Sequence, residues 1–219
     1  MAIFAVIPAY NEEKTVAGVV KEVEKRVDKT FVINDASSDR TAELAKRAGA
    51  TVISHKANRG LGGALRTGFA TVLKTAKRDD IILTIDSYGQ HDPAEILKFA
   101  EKISEGYDFV LGARDLSKYP LRKRIGNAVL TALTNIVCGT SLGDTESGFR
   151  AFRASALAKL DLHAERYQIA AEIILEVGRN KLRTANIKIT SPKYRSGVTV
   201  WQGVQNFGYL LHRKFGKQS

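Results

Sequence analysis

The sequence predicts an α/β fold, a mainly parallel sheet covered by helices on both faces. Two observations carry this. Through residue 111, short apolar or β-branched runs alternate with stretches whose apolar residues recur at helical spacing, in the order β-α-β-α-β-α-β-α-β. The run at 81–85 is apolar at Ile81, Ile82, Leu83 and Ile85, as a strand buried on both faces requires, and it stops abruptly in Asp86, Gln90, His91 and Asp92. Ligands of open α/β sheets sit beyond the carboxyl ends of the strands. That cluster is therefore a candidate ligand site, and hard oxygens there suit Mg²⁺ or Mn²⁺, which in turn hold a diphosphate. Asp92 before Pro93 also reads as an ordinary helix start.

Each element has its own signal. Residues 3–7 are β-branched and aromatic and form the first strand, followed by a turn at 8–13. Val16, Val19, Val20, Val23 and Val27 mark a helix. Residues 31–33 form the second strand, closed by Asn34 and Asp35. Ser37, Ser38 and Asp39 supply cap chemistry for a helix over 40–48, which Gly49 ends. A third strand follows at 51–53. The glycine-rich loop 58–63 leads into a helix reaching about residue 76. After the 81–85 strand come a helix over 94–104 and a strand at 109–111, ending in Gly112-Ala113-Arg114. The second half is less regular: a basic loop at 118–124, an apolar helix over 125–138, and a polar turn at 144–153 running into a short strand. A helix over 167–179 and a strand at 185–189 follow. Trp201, Val204, Gly208, Leu211 and Phe215 mark one face of a last helix, expected in the core or at a subunit contact.

A chain of 219 residues suits one α/β domain with a small extension, here residues 1–199 and a basic helix over 200–219. Such a chain buries about 70% of its unfolded surface and needs no covalent staples. The single cysteine, Cys138, excludes an intrachain disulfide and reads as a small buried hydrophobe. No apolar run reaches the ~20 residues of a membrane span, and residues 1–9 read as a strand rather than a signal peptide. Net charge is +11, unevenly placed: residues 177–219 contain nine Lys and Arg and no Asp or Glu. That points to an anionic partner: phospholipid, a phosphorylated substrate or nucleic acid. Nucleic acid ranks last, because basic and aromatic residues do not interleave and no recognition motif is present.

Six motifs then occur in order: VIPAYNEE at 6–13, INDASSDRT at 33–41, NRGLGGALRTG at 58–68, IDSYGQHDP at 85–93, GAR at 112–114 and GDTESGFRAFR at 143–153. Together they resemble a family 2 glycosyltransferase of GT-A (Rossmann-like) fold, with the closest likeness to dolichyl-phosphate mannose and glucose synthases, over roughly residues 3–197. The resemblance implies that Pro8, Tyr10 and Glu12 line the nucleobase and ribose pocket. Asp35, second of an aspartate pair whose first member is Asn34 here, would bond the base. Gly60 and Arg66 would lie beside the nucleotide, and Ser87 and Asn127 would touch substrate. Asp86 matches the first carboxylate of the DxD motif, whose third position is Tyr88 in this chain. A neutral phenol is a poor ligand for Mg²⁺ at pH 7. The implied Mg²⁺ or Mn²⁺ is then held weakly, by Asp86, Gln90, water and the donor diphosphate, or catalysis has been lost.

Arg114, Arg124 and Arg195 match arginines aimed at phosphates, with Ser147 as a further donor. The implied reaction moves a hexose, mannose from GDP-mannose first and glucose from UDP-glucose next, onto polyprenyl (dolichyl) phosphate. A phosphate acceptor is already anionic and needs no general base, unlike a hydroxyl; Asp144 and Glu146 are the candidates for a base if the acceptor is a hydroxyl. The resemblance also implies a cytoplasmic protein, peripheral on the cytosolic face of an anionic membrane, with room for a separate membrane subunit. A nucleotide-sugar-binding protein without catalysis is the remaining alternative.

Overall fold

The computed structural model describes residues 1–117, 119–190 and 200–216. Seven strands form one sheet in the order β3-β2-β1-β4-β6-β5-β7. They are β1 (Ile3–Ala9), β2 (Lys29–Asn34), β3 (Thr51–Ser54), β4 (Ile81–Thr84), β5 (Phe109–Arg114), β6 (Arg150–Arg153) and β7 (Thr184–Ile189). All pairs are parallel except those of β6, which runs antiparallel to β4 and to β5. The helices are α1 (Val16–Glu24), α2 (Thr41–Arg47), α3 (Gly60–Leu73), α4 (Ile96–Ser104), α5 (Leu121–Cys138), α6 (Ala154–Leu157), α7 (Ile169–Arg179) and α8 (Val200–Phe215).

The period-two alternation along the strands sorts the core into two layers. Val6, Phe31 and Ile82 pack with Phe69 of α3 and Ile173 of α7. Their neighbours Ile7, Val32 and Leu83 pack on the other face with Val20 of α1 and Phe99 of α4. Asp92 accepts a hydrogen bond from Ala94 N at 2.8 Å and so caps the turn that leads into α4. Cys138 is buried, and burial pushes its thiol up to about 11, consistent with a packing role.

Four expectations need correction. Residues 121–124 are helix rather than loop: Pro120 stands at the N-cap of α5, where its missing N–H costs nothing. The glycines at 60, 62 and 63 belong to α3 itself. The short helix α6 was not expected. On α8, Gly208, Leu211 and Phe215 face outward while Gly203, Asn206 and Leu210 are buried, so this part of the predicted stripe is not core. Among the described residues, no helix is long and apolar enough to cross a membrane.

Candidate active site

A cleft of about 1480 Å³ opens at the carboxyl ends of β1, β2 and β4 and is walled on its far side by α5 and α8. The strand ends supply Pro8, Tyr10, Asp35 and Asp86, and the far wall supplies Arg122, Asn127 and Leu130.

Asp35 follows β2 directly and is almost fully buried. Its carboxylate accepts from Arg59 N at 2.9 Å and from Gly60 N at 2.7 Å, which caps the start of α3. It also lies 2.7 Å from His55 Nδ1, whose Nε2 is 2.9 Å from Thr67 Oγ1. Gly60 is at φ +76°, a left-handed conformation that suits glycine and aims its N–H at the carboxylate. Asn34 donates to Ser54 Oγ and accepts from Ser37 N. It thus uses a donor that an aspartate lacks. Glu12 accepts from Thr15 Oγ1, and its own N–H donates to Thr41 Oγ1, which ties the first turn to α2.

Asp86 lies two residues beyond β4. Its Oδ2 is 2.8 Å from the Tyr88 hydroxyl and 3.1 Å from His91 Nε2, and His91 rests against Phe149. Burial disfavours the charge on Asp86, but hydrogen bonds from His91 and Tyr88 and the charge of Arg114 outweigh it and hold the carboxyl below its ordinary range. Burial and the Asp86 carboxylate together raise the Tyr88 phenol above its ordinary value. The same hydroxyl is 2.8 Å from Gln90 Oε1. Two hard oxygens, Asp86 Oδ2 and Gln90 Oε1, therefore converge on one point, which the Tyr88 hydroxyl holds. Among the described residues no three His, Cys, Asp or Glu are grouped to hold a metal ion. Asp86 and Gln90 offer oxygens of the kind a hard divalent cation takes, and they would hold one only together with oxygens from elsewhere.

The antiparallel register of β6, with Thr84 opposite Arg150, swings residues 144–150 beside Asp86. Gly148 packs so closely on Asp86 that an added Cβ would come within 2.6 Å of its Oδ1. Asp144 accepts from Arg114 Nε at 2.6 Å and Nη2 at 3.0 Å, and from Asn127 at 3.2 Å. Burial opposes the Asp144 charge, and the Arg114 hydrogen bonds and charge more than offset it, so its carboxyl stays below the ordinary range. Burial likewise opposes the Arg114 charge, yet Asp144 holds that guanidinium above its ordinary value. Glu146 is the contrast: burial raises its carboxyl, against the pull of Arg150. Burial lowers Arg150 to about 10, despite Glu146, Asp86 and Asp144 nearby, and among the described residues its Nε has no hydrogen-bond partner.

Several expected residues thus meet at one cleft: Pro8, Tyr10, Glu12, Asp35 and Gly60 with Asp86, Ser87, Gln90, Arg114 and Asn127. Three are placed elsewhere. Arg66 turns away to donate to His163 O at 2.9 Å. Ser147 is wholly buried in the 144–150 turn, its Oγ 3.4 Å from Phe149 N. Arg124 is exposed on α5 outside the cleft wall, which its neighbours Arg122 and Lys123 line instead. Arg195, with Lys118, lies outside the described residues. The structure adds Arg150, Arg166 and Tyr167 to the wall. Arg166 and Tyr167 arrive because Gly63 N donates to Glu165 O at 2.8 Å and Gly62 leaves room for the Ala164 carbonyl. The sequence signal for this was the second glycine pair of α3, which reads equally well as helix entry.

The family model described as glycosyl transferase family 2 matches residues 4–161. An uncharacterised protein of Methanocaldococcus jannaschii is 39% identical, over 97% of this chain and 92% of that one. A UDP-N-acetylglucosamine–dolichyl-phosphate N-acetylglucosaminyltransferase of Methanococcus voltae is 31% identical, over 98% of this chain and 97% of its own. Among solved structures, glucosyl-3-phosphoglycerate synthase from Mycobacterium tuberculosis, in complex with Mn²⁺, UDP-glucose and phosphoglyceric acid, superposes with TM-score 0.76 at 22% identity. That superposition covers all of this chain and 81% of the synthase. The mixed sheet is that of a GT-A fold, and the chain belongs to glycosyl transferase family 2.

Proposed function

We propose that the protein transfers a hexose from a nucleotide-diphosphate sugar to a polyprenyl (dolichyl) phosphate, with inversion. The observation that carries this reading is the asymmetry of the cleft. Asp35, Tyr10 and Glu12 stand at one end, while Arg122 and Lys123 stand beside Val129, Leu130 and Leu133 at the other. A wall that offers cations next to aliphatic side chains suits a lipid phosphate. The name of the Methanococcus voltae relative gives the same acceptor class and a uridine donor. UDP-N-acetylglucosamine therefore enters a donor screen beside GDP-mannose and UDP-glucose.

In this mechanism an acceptor phosphate oxygen attacks the anomeric carbon as the bond to the nucleoside diphosphate breaks, and that diphosphate leaves with the bonding pair. The acceptor is already anionic near pH 7, so its attacking oxygen needs no base, and positioning and charge tolerance suffice. Tyr10 and Glu12 hold the nucleoside, with Asp35 beside them; Arg122, Lys123 and Arg166 receive the phosphates, joined by Arg195 as the resemblance implies. Arg114 and Asn127 hold Asp144, and through it the 144–150 turn against Asp86. Asp86 and Gln90 would hold the divalent cation, which when bound offsets diphosphate charge. The lipid acceptor requires peripheral docking on an anionic membrane, on the cytosolic leaflet where nucleotide sugars are made, alone or with a membrane subunit. Residues 1–199 form the catalytic domain in this reading, with α8 as its basic extension.

Glu146 supports a second reading. A cleft carboxylate with a raised pKa is the equipment of a general base, and a hydroxyl acceptor would need one. Transfer assays with a panel of nucleotide sugars, offering polyprenyl phosphate or the free polyprenol, separate the two. The proposal expects product from the phosphate alone. Glycosylation of the free alcohol at a similar rate would favour the hydroxyl reading, and no product with any donor would favour a binding protein without catalysis.

A further inference from the structure

Helix α5 is built inside out. Its buried side chains are Thr131, Thr134 and Cys138. Its large aliphatic residues Leu121, Ile125, Val129, Leu133 and Ile136 are exposed, Leu121 by 65% and Ile136 by 77%. At 3.6 residues per turn those five fall within an arc of about 120°, opposite the buried side, along about 22 Å of helix. A water-facing helix of a globular domain carries the reverse pattern, and an apolar patch of this kind marks an interaction surface.

Two features identify the occupant. Arg122, Lys123 and Arg124 fill the first turn of α5, where the helix dipole disfavours cations, so they do not serve the helix itself. The helix contains no Asp or Glu, so a second copy laid along it would bring no countercharge. The stripe is also continuous with the cleft: Val129 and Leu133 are exposed on α5 and line the cleft wall as well. We infer that α5 lies flat on an anionic lipid bilayer, its apolar stripe among the acyl chains and Arg124, the first-turn cation outside the cleft wall, at the phosphate headgroups. The cleft then opens onto the membrane, and a lipid phosphate enters along Val129 and Leu133 without its chain crossing water. This inference rests on the lipid-phosphate reading for its purpose, but its test stands apart.

The full chain would be sedimented with vesicles of phosphatidylcholine containing one-third phosphatidylglycerol, and compared with the Ile125→Gln/Ile136→Gln double variant. Neither position lines the cleft. Wild type should bind the vesicles, and the double variant should bind about tenfold or more weakly. An environment-sensitive fluorophore on Ile136→Cys should shift to the blue when these vesicles are added. The account is overturned if wild type stays in the supernatant, if the double variant binds equally, or if 0.5 M salt removes all binding, a sign of charge alone. It is overturned too if the fluorophore reports only a dimer that forms without lipid. A soluble polyprenyl phosphate of one or two isoprene units, assayed without vesicles, keeps the two proposals distinct. The double variant should use it at the wild-type rate. Failure of wild type to use it would count against the acceptor and leave the docking result standing.

Discussion

At the end of the cleft formed by β1, β2 and α3, the carboxylates that line it are already held by protein. Asp35 caps α3 and meets His55, and Glu12 bonds Thr15 within its own turn. At the end formed by α5, an 18-residue helix turns threonines inward and aliphatic side chains outward, with cations in its first turn. The bonds at the first end hold its carboxylates in place, and in the proposed reading the ordering cost of this polar end then falls outside the binding step. The second end keeps an apolar surface in water, which only a guest of similar character relieves. The difference teaches where to expect stability effects and where to expect only functional ones.

The largest effect should come from the buried pair Arg114–Asp144, which with Asn127 ties β5 to α5. Arg114→Met leaves Asp144 charged and unpaired in a dry site, and should cost about 3–5 kcal/mol in urea unfolding. The pH dependence has a definite sign. The folded Asp144 carboxyl is held below its ordinary value of 3.8, so its contribution is complete above that pH and is lost as pH falls below it. The stability gap between wild type and Asp144→Asn should therefore narrow in acid. A gap that widened there would mean that Asp144 is not ionised in its pair with Arg114.

Asp35→Ala sharpens the comparison from the polar end. It removes the acceptor for the backbone N–H groups of Arg59 and Gly60 at the start of α3 and, in the proposed reading, a contact at the nucleoside. Stability should drop by about 1–2 kcal/mol, and calorimetry should show nucleotide binding weaker by about 2 kcal/mol. Unchanged nucleotide affinity in a folded variant would limit Asp35 to a capping role.

Tyr88→Asp acts between the ends. It replaces a high-pKa phenol with a second carboxylate beside Asp86 and should tighten Mn²⁺ binding in the presence of nucleoside diphosphate, by about tenfold or more. Equal Mn²⁺ affinity in the two proteins would show that the third DxD position has no metal role here.

The smallest effect belongs to the exposed stripe. Ile136→Gln should change thermal stability by less than ~0.5 kcal/mol, because the side chain packs against little. A large loss would mean that the residue is covered in solution.

Asp86 was legible because a buried strand that stops in polar residues is a local signal, and Asp35 because its motif resembles that of a known family. Arg150 was not, since its place beside Asp86 depends on the antiparallel register of β6 with β4, a long-range pairing that the alternating pattern does not encode. Arg166 and Tyr167 depend on the 161–168 segment docking on α3, and the same docking draws Arg66 away to His163 O. The outward stripe of α5 escaped for a different reason. An apolar helical pattern is identical in sequence whether it faces a core, a partner or a lipid.

The central claim is that the acceptor arrives as a phosphate and needs no base. Its most direct test is the rate of transfer to polyprenyl phosphate by Glu146→Gln across pH 6–8. The account predicts a rate within about tenfold of wild type and a pH profile of unchanged shape, because this side chain removes no proton. A loss of about 10²–10⁴-fold, the contribution expected of a general base, would contradict it and give Glu146 a proton-removing role in the transfer.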